Sequence, residues 1–381
     1  MTSIAKKPFI LVVDDQPEEI RGVSATGFKE LVRHEVVHPR DVEIKHLEAA
    51  DLVLVDYRLD DWTERANTAL AMQPSSGLAL AVLLREHADR TQQGRLTAFC
   101  LHSAHLGDIE ARLPVTNRQH VLARLNNLEW AFAKSDGTRW GQMVALANGV
   151  RDLPRAWPDG DSKSETQALT LLALDDKLKW FERARRTVLE CQPPIHELRG
   201  GAHGLLFVRW LLHQILPYPT FLWREEWVAA RLQMSTKSLQ EILKEGGQLA
   251  KDLEVRSYKG ALCDFMGLRW WRAGLEDYVW EITNGQPVDV KTLHEALKQR
   301  TAVQFEPLPT GASFVSLGKD FTPTGEFISA EKAVRLSPDQ WPPFADDAWA
   351  SIKSAKEDPF LASIVDPRDS VRLDTQGDQK E

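Results

Sequence analysis

Apolar residues in the first third of the chain fall into short β-rich runs, separated by stretches whose apolar positions recur at helical spacing. Phe9 to Val13, Leu52 to Val55, Leu96 to Leu101 and Trp130 to Ala133 read as strands, with Val36 and Val37 as a weaker one. Pro17 sits where a first helical turn tolerates it, and Ile20, Val23, Gly27 and Leu31 share one helical face. Further helices are predicted over Ile44 to Ala50 and Gly77 to Glu86, and Trp140, Met143, Val144, Ala147 and Val150 mark a closing one. Such alternation predicts an α/β domain with a parallel sheet covered by helices on both faces.

The pattern changes after Leu153. Pro154, Pro158 and the polar run from Asp159 to Ser164 read as a linker over 154–165, which makes 1–153 the first domain. Beyond it the apolar spacing is mostly helical, over Leu169 to Leu189, Leu205 to Leu216, Trp223 to Leu232, Leu239 to Leu253 and Val288 to Ala302. That assigns 166–321 to a mainly α-helical second domain. The stretch 322–381 reads as irregular and partly disordered, with a helix near Trp349. No internal repeat is found.

A chain of 381 residues fits two domains with separate cores. The formal net charge of -8 argues against non-specific coating of nucleic acid, which needs Lys and Arg to neutralise phosphates. Cys100, Cys191 and Cys263 are widely spaced, odd in number and without metal-type spacing, so neither a disulfide framework nor a zinc site is expected. The segment Met1 to Pro8 is short and polar, and no apolar stretch is long enough for a bilayer. The expectation is a soluble, unexported, cytoplasmic protein.

Chemistry enters at the ends of the predicted strands. Asp14 and Asp15 follow the first, Asp56 the third, Ser103 the fourth and Lys134 the fifth. Parallel sheets place their sites at these carboxyl ends. Carboxylates about 4 Å apart repel by about 4 kcal/mol per pair at an effective dielectric near 20, so the cluster calls for a cation. Few hard oxygen ligands with room for water favour Mg²⁺. Asp56 is then placed to act as a nucleophile toward a phosphoryl group whose oxygens Lys134 and the Ser103 hydroxyl contact. A dinucleotide fold would need a Gly-rich turn where Asp14-Asp15-Gln16-Pro17 stands, and a dehalogenase-like phosphatase an Asp-x-Asp after its first strand; both are missing.

This set resembles the receiver domain of two-component response regulators, over about the first 150 residues. Asp14 and Asp15 match the paired acids, Asp56 in Leu54-Val55-Asp56-Tyr57-Arg58-Leu59 the phosphoacceptor, Ser103-Ala104 the switch and Lys134 the lysine. The resemblance implies a flavodoxin-like doubly wound sheet of order 2-1-3-4-5 and a histidine kinase or phosphotransfer protein as donor. It also implies a metal ligand in the backbone carbonyl of Arg58, and a role for the Arg58 and His105 side chains in setting the lifetime of the phosphoryl group. Departures are Ser135 where the family usually has proline, Ala131 at the aromatic switch position between Trp130 and Phe132, and a longer stretch around Leu113-Pro114-Val115.

The second half offers three features. Glu226 to Leu243 reads like a helix-turn-helix that would turn Lys237, Ser238 and Gln240 toward a DNA groove, although Glu225, Glu226, Glu241 and Glu245 lie close by. His196-Glu197-Leu198-Arg199 resembles a histidine phosphotransfer motif, yet Pro193-Pro194 precedes it directly. Trp and Arg concentrate in Gly267 to Arg272, a composition common in protein interfaces and in helical cores. The leading expectation is a response regulator, not an enzyme, whose phosphorylated receiver alters the helical domain's contact with a downstream protein partner. DNA-binding regulation and a phosphoryl sink or relay are the alternatives, and homodimer formation is left open.

Overall fold

The computed structural model describes residues 7–18, 28–67, 73–91, 96–106, 118–201, 203–285, 289–309 and 311–375. Five strands, β1 (Phe9–Val13), β2 (Arg33–Val37), β3 (Leu52–Val55), β4 (Ala98–Ser103) and β5 (Trp130–Ala133), form one sheet in the order β2-β1-β3-β4-β5. Every pairing in it is parallel. This all-parallel order is consistent with a flavodoxin-like α/β fold. Parallel neighbours need crossovers, and α1 (Phe28–Leu31), α2 (Ile44–Ala49), α3 (Gly77–Thr91) and α4 (Arg118–Leu125) lie one in each of the four, while α5 (Arg139–Arg151) follows the last strand. The predicted helical positions Ile20, Val23 and Gly27, and the stretch around Leu113-Pro114-Val115, lie outside the described residues.

Alternation along each strand sorts the core into two layers. Leu11, Val13, Val53, Val55, Phe99, Leu101 and Ala131 face a cluster with Leu47 of α2, Leu80 and Leu84 of α3, and Leu122 of α4. On the other face, Met143, Leu146, Ala147 and Val150 of α5 are buried, and Phe28 of α1 packs on Trp140 with ring centroids 4.7 Å apart.

The chain forms two compact units, and the first is not confined to 1–153. It comprises 1–172, 194–213 and 260–266. The later segments supply aromatic cover for β5: Phe265 stands edge-on to Trp130 at 5.1 Å, and His213 stacks on the same indole at 6.0 Å. Gly149 of α5 is a close-approach position, because a Cβ there would lie 2.9 Å from the Leu262 side chain. Of the residues expected to form a linker, 154–160 are irregular but 161–165 open a helix, Asp161–Leu171, in which Ser164 is buried with its hydroxyl donating to the Pro158 carbonyl.

The second unit comprises 173–193, 214–259 and 267–381. Its helical core is built by Glu225–Leu232, Thr236–Glu245, Gln248–Val255, Arg272–Ile282 and Val290–Lys298. The single helix expected over Leu239 to Leu253 is two, because Gly246 takes φ 71°, a left-handed cap that ends the first. The segment expected to be irregular carries strands. Ala333–Leu336, Ala348–Ser351, Ala312–Leu317 and Pro323–Ser329 are neighbours in that order in a four-stranded sheet, with Val334, Leu336, Ala348 and Ala350 in its core. Pro323–Ser329 is mostly polar and buries one residue fully, Ile328, so its sequence lacks the apolar alternation that marks a half-buried strand. Among the described residues no helix is long and apolar enough to cross a membrane.

Candidate functional site

The register of the parallel sheet fixes where the acidic residues emerge. Val13 pairs with Val55 and Val55 with Leu101, so β1 and β3 finish level and β4 runs two residues further, to Ser103. Each chain then makes one more rung: the Asp56 amide donates to the Val13 carbonyl at 2.9 Å, and the Lys134 amide to the Ser103 carbonyl at 2.9 Å. Asp14, Asp56, Ser103 and Lys134 therefore lie together at the carboxyl end of the sheet.

The side chains converge there. One carboxylate oxygen from each of Asp14, Asp15 and Asp56 lies within 4.8 Å of the others. The Lys134 Nζ donates to Asp14 Oδ2 at 2.8 Å and to Asp56 Oδ2 at 3.0 Å. Local backbone amides hold the remaining geometry: Tyr57 N–H donates to Asp56 Oδ1, Gln16 N–H to Asp14 Oδ1 and Asp61 N–H to Asp15 Oδ2. Gln16 Nε2 donates to Asp61 Oδ2, which joins the β1 and β3 exits.

Three carboxylates and one ammonium carry a formal charge of about -2 when all are ionised, and two carboxylates 4.8 Å apart repel by about 3 kcal/mol at an effective dielectric near 20. Burial raises the Asp56 carboxyl above its ordinary range against the attraction of Lys134, and Asp14 raises it further. Asp15 is likewise raised by burial, which outweighs the hydrogen bond from the Asp61 amide. Burial presses the Lys134 ammonium downward, but Asp14 and Asp56 outweigh it and hold the group above the usual lysine value. An oxygen-only donor set with excess negative charge fits a hard divalent cation, which Asp14, Asp15 and Asp56 can hold.

The other sequence-predicted residues are placed as follows. Ser103 is fully buried at the end of β4, and its hydroxyl accepts the His105 amide at 3.1 Å. Arg58 and His105 are exposed in the turns that leave β3 and β4. On the Ser103 face β5 offers only Ala131 and Ala133, since Trp130 and Phe132 point to the α5 face. His102 also faces that way, edge-on to Trp140, and burial lowers its ring to about 3, with Lys134 and Arg139 adding to the effect.

Gly77 belongs to the site and was legible in the sequence only as a helix start. A Cβ at this position would lie 1.7 Å from the Asp56 carbonyl oxygen and 2.9 Å from Tyr57 Cα. Its amide donates to the Tyr57 carbonyl at 2.8 Å, so α3 begins in contact with the backbone of the candidate acceptor. Gln16 and Asp61 were missed as well, because a side chain that braces a carboxylate through a loop leaves no local pattern.

The features of the second half resolve differently. Glu225–Leu232 and Thr236–Glu245 are two helices joined by Gln233, Met234 and Ser235, as the helix-turn-helix reading requires. Ser238, however, is buried, and its hydroxyl pairs with Ser235 and accepts the Glu306 amide, so it cannot reach a groove. The Gln240 amide donates to the Glu225 carboxylate, while Lys237 is exposed. His196 lies in the five-residue helix Ile195–Arg199, with its ring against the Arg199 guanidinium at 3.2 Å. No family model matches this sequence, and no curated protein matches it.

Proposed function

We propose that this protein is a phosphoryl-accepting signalling protein of the response-regulator type, with Asp56 as acceptor. The observation that supports it best is the Lys134 ammonium shared between Asp14 and Asp56, beside a cluster of three carboxylates. In this reading an Asp56 carboxylate oxygen attacks the phosphorus of a phosphohistidine or small acyl phosphate. The new bond is an acyl phosphate, and the donor's bond to phosphorus breaks with its electron pair leaving on the donor. Mg²⁺, held by Asp14, Asp15, Asp56 and the Arg58 carbonyl, would neutralise charge on the phosphoryl oxygens. Lys134 Nζ serves the same oxygens once they displace Asp14 and Asp56 as its partners, and the Ser103 hydroxyl is the nearby donor on β4. Arg58 and His105, exposed beside the acceptor, govern access of water to the acyl phosphate.

The donor is a histidine kinase or phosphotransfer protein, and the output is a changed contact between the second unit and a protein partner in the cytoplasm. Buried Ser238 and the Glu225-bound Gln240 favour a protein over DNA as that partner. Incubation with acetyl phosphate and Mg²⁺ followed by intact-mass measurement tests the acceptor chemistry. A single phosphoryl adduct that requires Mg²⁺ and disappears in Asp56→Ala supports the reading. An adduct that persists in Asp56→Ala defeats it.

A further inference from the structure

The second unit contains a cavity of about 560 Å³ that the chemistry at Asp56 does not use. Its walls come from the helix Glu225–Leu232, the start of Val290–Lys298, the strand Ala312–Leu317 and the residues leading into Ala348–Ser351. The size suits a small organic molecule. Trp227, Phe314 and Trp349 give it aromatic walls, and Phe314 already packs at a tilt against Trp349 with centroids 4.4 Å apart.

The sign of the ligand follows from which polar groups are already matched. Asp346 accepts from the Arg272 guanidinium and, at 3.1 Å, from Trp223 Nε1, while Asp347 pairs with Arg335 at 3.1 Å. Both carboxylates of the lining are thus paired with cations. The ring faces of Trp223 and Trp349 are engaged as well, by Arg272 and Arg335, each 5.3 Å from the ring centroid. A cationic guest would meet fixed guanidinium groups over those rings instead of open aromatic faces. Among the described residues, the exposed Arg231 guanidinium is the one charged group of the lining with neither an ion-pair nor a hydrogen-bond partner, and the Trp227 and Trp349 indole N–H groups are unpaired donors.

We propose that this cavity binds a small organic anion with a flat apolar body, its acidic group held by Arg231 and its body lying against Trp227 and Phe314. The guanidinium presents a planar fork that matches a carboxylate, and the Trp227 indole offers stacking area.

Isothermal titration of the full-length protein with naphthalene-2-carboxylate tests this directly, against 2-naphthylmethylammonium as a probe of equal shape and opposite charge. Saturable one-to-one binding of the carboxylate is expected, weaker by at least about tenfold both for the ammonium probe and for Arg231→Gln. Arg231 is exposed, so circular dichroism of the variant should match the wild type. Equal affinity for the two probes, undiminished affinity in Arg231→Gln, or no saturable binding of the carboxylate would each overturn the proposal.

Discussion

Arg209→Met separates two views of the sheet domain, one in which it ends near Leu153 and one in which later segments complete it. Glu129, at the entry to β5, is fully buried and takes four hydrogen bonds. The Phe99 amide donates at 2.5 Å and Arg85 Nη2 at 3.2 Å, while Arg209 supplies Nε at 3.0 Å and Nη2 at 2.6 Å. Arg209 also donates to the Asn127 side chain and carbonyl. Methionine replaces the aliphatic stem of the side chain but leaves the carboxylate with one guanidinium and one amide. Removing one partner of a buried ion pair costs about 3–5 kcal/mol. The Arg209 side chain is 28% exposed, so water replaces part of what is lost and about 2–3 kcal/mol is the better figure. In a domain of this size that lowers Tm by roughly 5–10 °C. Differential scanning calorimetry measures it, and Glu129→Gln combined with Arg209→Met should cost less than the sum of the single changes. A variant that melts within about 1 °C of the wild type would refute the reasoning, since such a shift is under about 0.5 kcal/mol.

Three further outcomes follow from the same geometry. Gly77→Ala forces α3 away from the Asp56 backbone, so it should lower stability by at least about 2 kcal/mol and slow adduct formation; unchanged values for both would show that the contact at 1.7 Å is relieved cheaply. Lys134→Met removes the shared ammonium, which should tighten Mg²⁺ binding roughly tenfold by titration calorimetry while abolishing the phosphoryl adduct; weaker Mg²⁺ binding would contradict the charge argument. His102 has a folded value near 3 against an ordinary 6.5, so below pH 6.5 the unfolded chain binds the extra proton and stability falls as pH falls. Urea unfolding should therefore show about 2 kcal/mol more loss between pH 7 and pH 5 in the wild type than in His102→Phe, and equal losses would place the cause elsewhere.

The strands that could be read from sequence are those with their own apolar run, such as Phe9–Val13 and Leu52–Val55, and their exits revealed Asp14, Asp15 and Asp56 without any tertiary information. Lys134 was legible for the same reason, because it follows Trp130–Ala133 directly. The limits of the sheet domain were not legible. Phe265, His213 and Arg209 look like ordinary residues of a helical second half, and nothing local says that their partners are Trp130 and Glu129. Ser238 was misread because a Ser-x-x-Ser spacing at a helix start serves capping as readily as groove recognition, and here Ser235 and Ser238 bond each other. Strand Pro323–Ser329 carries a proline, a glycine and few apolar side chains, and it is recognisable only beside Ala312–Leu317.

The central claim is that Asp56, and not Asp14 or Asp15, takes the phosphoryl group. Borohydride reduces an aspartyl phosphate to homoserine and leaves a free carboxylate untouched, so the modified residue can be found by tandem mass spectrometry after treatment with acetyl phosphate and Mg²⁺. Homoserine at position 56 alone is the predicted result. Homoserine at position 14 or 15, with Asp56 unreduced, would contradict the account.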